Sequence, residues 1–101
     1  MTLTEIRNDL AGDIFKATLS DRSQAMKANL LVKSVDYFKA LYKNMNHTEP
    51  NLYMFYEIYK QVRYCVNLAG VTDKEFDCYV GGRIKDFMEK EDYEEDEKRT
   101  D

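Results

Sequence analysis

Residues 28–45, ANLLVKSVDYFKALYKNM, decide the fold. Within them Ala28, Leu31, Val35, Phe38, Tyr42 and Met45 recur at alternating steps of three and four, which draws a coiled-coil-type seam along one side of a helix. Leu30, Tyr37 and Leu41 widen the apolar arc beyond what one neighbour can cover, so this helix is expected to touch at least two others. Downstream, Leu52, Phe55, Tyr59, Val62, Val66 and Ala69 step in the same way. Between the two stripes lie Asn44-Met45-Asn46-His47 and then Thr48-Glu49-Pro50, a cap candidate followed by a proline that suits only the first turn of a helix. Matched seams joined by so short a connection predict an antiparallel helical hairpin.

The flanks extend the pattern. Thr2 and Glu5 have capping-box spacing, and Leu3, Ile6, Leu10 and Ile14 follow at helical intervals, so a first helix is expected from Leu3 to Leu19, weakened at Gly12. Asp21 with Gln24 repeats the cap spacing for the helix that carries the seam. Gly70 suits the position just past a helix end, and Val71 with Phe76 forms a hydrophobic staple around the Thr72…Glu75 capping box, which starts a fourth helix at Asp73. Phe76, Val80, Ile84, Phe87 and Met88 give that helix an apolar face. Gly81-Gly82 interrupts it and should either kink it or admit another backbone closely. The fold expected is all-α: a small four-helix bundle around the hairpin, with a single helical domain over residues 1–90. Residues 91–101 form an acidic tail, expected to be frayed or disordered.

Composition agrees with one cytoplasmic globular domain. Its 101 residues are 44% hydrophobic, enough for a core, and 34% charged, enough to keep the outside wet. Cys65 and Cys78 stand outside any CxxC spacing and are too few for a disulfide framework, which fits reduced thiols in a reducing compartment. No apolar run nears the roughly 20 residues needed to span a bilayer. The net charge of −4 is unevenly spread: residues 85–101 hold nine acidic against four basic side chains, so residues 1–84 are close to neutral.

No arrangement of side chains resembles an active site. His47 is the one histidine and falls in the loop between the two seams, remote in sequence from either cysteine, so no metal, cofactor or nucleophile–base pair is expected and the chain reads as a non-enzyme. Asp9 with Asp13, and Asp73, Glu75 and Asp77, are carboxylate pairs of the kind that crowd any helical surface.

One local motif resembles a known family of structures. Cys65-Val66-Asn67-Leu68-Ala69-Gly70-Val71-Thr72, then Phe76 and Tyr79, looks like the turn of a helix-turn-helix motif, and the Ala-Gly-Val-Thr stretch resembles that of many bacterial repressors. The resemblance implies an αα-corner over 65–79 and, as an alternative function, a DNA-binding regulator. Against the DNA role, a recognition helix opening with Asp73, Glu75 and Asp77 would set three carboxylates against phosphates.

Two surfaces are better candidates. On the third helix Tyr53, Tyr56, Lys60, Arg63 and Tyr64 project together, an aromatic and cationic mixture that suits a protein hot spot or stacked bases. At the end of the fourth, Glu91, Asp92, Glu94, Glu95, Asp96 and Glu97 offer an acidic run that could dock on a basic surface. The expectation is a small protein-binding adaptor or inhibitor acting on a nucleic-acid-handling partner with a basic surface. In size and charge alone the chain resembles small phage and mobile-element inhibitors that use acidic surfaces. Direct nucleic-acid or membrane binding is not expected, and a homodimer is the other way to cover a heptad face.

Overall fold

A computed structural model describes the backbone of residues 1–99 and the side chains of residues 1–93. The chain is an all-α four-helix bundle. Helices α1 (Leu3–Leu19), α2 (Gln24–Lys43) and α3 (Glu49–Leu68) form three arms. The fourth is continuous but composite: α4 (Asp73–Phe76), one π-helical turn (Asp77–Gly81) and α5 (Gly82–Arg99).

The helix ends follow local chemistry. Thr2 and Ser23 accept from the backbone N–H groups of Glu5 and Met26, and Thr72 and Glu75 form a complete capping box. The start of α2 lies two residues later than the Asp21–Gln24 spacing predicts. Asp21 instead accepts from the Ser23 backbone N–H at 3.1 Å, closing a local turn and leaving Ser23 as the cap. At the end of α3, Gly70 takes φ +99°, its N–H reaches the Asn67 carbonyl, and the Val71 N–H reaches the Val66 carbonyl. That double bond pattern with Val66 and Val71 both buried is a Schellman closure, and it needs glycine at its left-handed position.

Successive arms run in opposite directions. Phe38 meets Tyr59 and Tyr42 meets Phe55, with ring centroids 5.4 and 5.9 Å apart, which fixes the antiparallel register of the α2–α3 hairpin. The closest helix pair is nevertheless α1 with α2, and α2 also touches α3, α5 and the π turn. The wide apolar arc of α2 therefore serves three neighbours. Its centre differs from the seam expected: Leu30 and Ser34 are fully buried whereas Ala28 is exposed. Ser34 survives burial because its hydroxyl donates to the Leu30 carbonyl at 2.7 Å. A hydroxyl satisfied within its own helix leaves no trace in hydrophobic periodicity.

The core runs through Leu10, Ala17, Leu30, Phe38, Phe55, Val66, Phe76, Val80 and Ile84. The fourth arm places Phe76, Val80 and Ile84 on one face although they are spaced by four and four. A regular α-helix would drift by that spacing, and the wider π turn between them takes up the extra residue. Gly81-Gly82 thus marks a π turn, and the group that approaches Gly81 is a side chain, the Tyr59 hydroxyl, where the sequence predicts a kink or a close backbone approach.

His47 closes the α2–α3 loop. Its ring stacks on Tyr42 at 3.9 Å between centroids, and Nε2 donates to the Tyr42 carbonyl at 2.9 Å. α5 continues across residues 90 and 91 to Arg99, and the candidate binding residues Glu94, Glu95, Asp96 and Glu97 lie outside the described side chains. No helix among the described residues is long and apolar enough to cross a membrane.

A charge cluster ties α1 to α2. Lys33 pairs with Asp13 and with Asp9 (2.9 Å to the latter), and Asn29 donates to Asp13 at 2.7 Å. The Lys33 contact holds the Asp13 carboxyl below its ordinary value, and Asp13 and Asp9 hold the Lys33 ammonium above its own. A depressed carboxyl stabilises the fold above its unfolded pKa and loses that contribution as pH falls. A raised ammonium stabilises below its unfolded pKa and loses it as pH rises. Lys33→Met should therefore cost about 1–2 kcal/mol, between the worth of a surface pair and a buried one, because the Asp13 and Lys33 side chains are 14% and 27% exposed. Urea midpoints should show that deficit constant from about pH 5 to 9 and shrinking below about pH 4. A pH-independent deficit down to pH 2 would assign the loss to the lysine's methylenes.

Candidate functional site

The fourth side of the bundle is incomplete. α3 and the fourth arm are clasped at one end and part at the other. At the clasp, Arg63 places Nη1 at 2.9 and 3.1 Å from the two Asp77 carboxylate oxygens, and the Tyr59 hydroxyl donates to Asp77 at 2.7 Å. Asn67 donates to Asp73 and to the Val71 carbonyl one turn away. The Tyr59 ring packs on Phe38 and Phe76, and burial first, then the bond to Asp77, raises its hydroxyl pKa well above the ordinary phenol value. Gly81 makes the approach feasible, because a Cβ there would lie 2.9 Å from the Tyr59 hydroxyl.

Beyond the clasp α3 and α5 leave a cleft of about 510 Å³ lined by Phe55, Tyr56, Tyr59, Gly81, Ile84, Lys85, Met88, Glu89 and Asp92. Its floor is apolar: Phe55 and Ile84 are buried, and Met88 is half-buried. Lys85, Glu89 and Asp92 line the α5 wall, and Asp92 accepts a hydrogen bond from the Tyr42 hydroxyl at 2.9 Å.

The predicted site residues do not form one surface. Tyr56 and Asp92 come together as opposite walls of the cleft. Arg63 reaches across to Asp77 in the clasp, where the same carboxylate accepts from Tyr59, a residue that periodicity assigns only to the seam. Tyr53 and Tyr64 remain on the outer face of α3, 68% and 66% exposed, and Lys60 beside them pairs with Glu57 at 2.9 Å. Glu91 is half-buried on α5. Sequence reasoning missed Ile84, Lys85, Met88 and Glu89 as a wall, although the glycine pair within a helical pattern marked where the fourth arm departs from regularity.

The corner over 65–79 is present, and its three carboxylates are all engaged within the chain. Asp77 accepts from Arg63 and Tyr59, Asp73 accepts from Asn67, and Glu75 is tied into the capping box, where the Thr72 backbone and then its hydroxyl lower its pKa. Regular α-helix lasts only from Asp73 to Phe76 before the π turn. Cys65 and Cys78 are free and exposed. Among the described residues no group of three or more His, Cys, Asp or Glu side chains is placed to hold a metal ion. Comparison with protein-family models, with curated proteins and with solved structures returns no match.

Proposed function

We propose that this chain is a small protein-binding domain, an adaptor or inhibitor, whose partner is a nucleic-acid-handling protein with a basic surface. The observation that carries the reading is the aromatic face of α3, where Tyr53, Tyr56 and Tyr64 stand more than half exposed. A tyrosine ring held on a rigid helix offers a large contact area at small entropic cost, which is why such rings dominate protein interfaces. The basic character of the partner follows from the net excess of five acidic residues over 85–101. The same excess, with Asp73, Glu75 and Asp77 at the start of the fourth arm, argues for a protein occupant ahead of DNA.

The test is capture of source-cell proteins on the immobilised full chain, followed by a nucleic-acid retention assay on the captured protein. The chain should retain a basic protein and lower its hold on nucleic acid. Tyr53→Ser with Tyr64→Ser should weaken that complex at least about tenfold while leaving the Tm unchanged, because neither ring supports the core. Equal capture by wild type and the double variant would remove the α3 face from the interface, and retention of naked DNA by the chain alone would overturn the reading.

A further inference from the structure

We infer that the α3–α5 cleft is a groove for an amphipathic helix of the partner, one that seats apolar side chains on Phe55, Ile84 and Met88 and directs Lys or Arg toward Glu89 and Asp92. This rests on the protein-binding reading above and assigns it a surface and a partner chemistry. Three features carry it. First, α2 contacts α1, α3 and the fourth arm, but α3 and α5 part below the clasp, so a further helix laid between them would complete that side of the bundle. Second, the α5 wall repeats at helical steps through Gly81, Ile84, Lys85, Met88, Glu89 and Asp92, and so extends along α5 for roughly 16 Å at 1.5 Å per residue. That length matches about three turns of a partner helix read through i, i+3/i+4 and i+7 anchors. A volume of about 510 Å³ holds several such side chains, and Met88 is an adaptable floor for them.

Third, the charge at the open end is complementary to a cationic helix. Among the described residues Glu89, which is exposed, has no ion-pair partner, and the hydrogen bond of Asp92 is to the neutral Tyr42 hydroxyl and not to a cation. Lys85, the one cation of the wall, sits nearer the clasp, so the wall changes from positive to negative toward the open end. A partner helix is thereby oriented: its basic residues belong at the Asp92 end and its uncharged or acidic end at the clasp.

The probe is a synthetic Leu/Lys amphipathic peptide of roughly 18 residues, long enough to form a helix alone. It is titrated into the 15N-labelled full chain beside a Leu/Glu analogue and a scrambled peptide of the same composition. The Leu/Lys helix should bind and move the amides of Tyr56, Gly81, Met88 and Glu89. Glu89→Lys should weaken it about tenfold, and Asp36→Lys, the same charge change in the α1–α2 groove, by less than about twofold. Met88→Lys should abolish it. Glu89 is exposed, so Glu89→Lys decides the matter should Met88→Lys lower the Tm. Equal binding of the scrambled or Leu/Glu peptide, equal loss from both charge reversals, shifts confined to α1 and α2, or an apolar dye filling the cleft that the peptide cannot displace would each overturn the assignment. Capture of the natural partner that survives Met88→Lys but fails on Tyr53→Ser with Tyr64→Ser would remove the cleft and leave the protein-binding reading standing.

Discussion

Phe38→Ala should remove a large share of the protein's stability. Phe38 is fully buried, and its ring lies 5.3–5.6 Å from those of Tyr37, Phe55 and Tyr59, so it joins α2 to α3 from the centre of the core. Truncating a buried phenylalanine costs about 3–5 kcal/mol through lost transfer energy and the cavity left behind. A domain of this size has on the order of 5–15 kcal/mol in total. The Tm should fall by at least about 12 °C, taking about 4 °C per kcal/mol for a domain near 100 residues. Phe15→Ala is the matched control: the same deletion at a side chain 67% exposed should stay within about 0.5 kcal/mol. Calorimetry of the two variants compares them directly, and equal Tm losses would show that Phe38 is not a core anchor.

Phe38 was legible in the sequence because its neighbours at steps of three and four are apolar, and the same holds for Phe55, Val66, Phe76 and Ile84. The ends of α1 and α3 were legible for a different reason: Thr2 and Gly70 use chemistry local to a few residues. Three features could not be read. Ser34 is buried by virtue of a bond to its own helix, so polarity misplaces it. Ala28 continues the heptad but faces solvent, because the close α1–α2 pairing turns α2 toward the Leu30 and Ser34 side. The cleft depends on where α3 and α5 part, which is set by the pairing of Arg63 and Tyr59 with Asp77 across 14 and 18 residues of chain. Periodicity reports the face a residue occupies on its own helix and carries no information about the neighbour it meets. For that reason Tyr56 and Asp92, taken from two separate candidate surfaces, prove to line one cleft, whereas Arg63 is held by Asp77 in the clasp.

The second large effect is expected at that clasp. Asp77→Ala removes the acceptor of two Arg63 bonds and of the Tyr59 hydroxyl. The Asp77 carboxylate is 46% exposed, so its own desolvation matters little, but Arg63 is 30% exposed and Tyr59 half-buried; the hydroxyl would lose its acceptor, and Arg63 would keep only the longer 3.9 Å contact of its Nε with Asp73 among the described residues. Stranding a charged and a neutral donor in such surroundings costs about 2–3 kcal/mol. Asp77→Asn should cost about half as much, because an amide oxygen still accepts from Tyr59 while the ion pair is lost. The Gly81 position separates this from a general loss of helix: Gly81→Ala should destabilise, although alanine is the better helix former by about 1 kcal/mol, because its Cβ would drive the Tyr59 hydroxyl off Asp77. In Tyr59→Phe the hydroxyl is gone, so adding Gly81→Ala there should become neutral or stabilising. Hydrogen exchange supplies the functional readout. Asp77→Ala should raise exchange over residues 77–93 and leave α1 and α2 unchanged, since the clasp joins α3 to the fourth arm by side-chain bonds. A uniform rise over all four arms would mean that Asp77 supports the whole core, and additive effects in the Gly81 and Tyr59 pair would separate the glycine from the hydroxyl beside it.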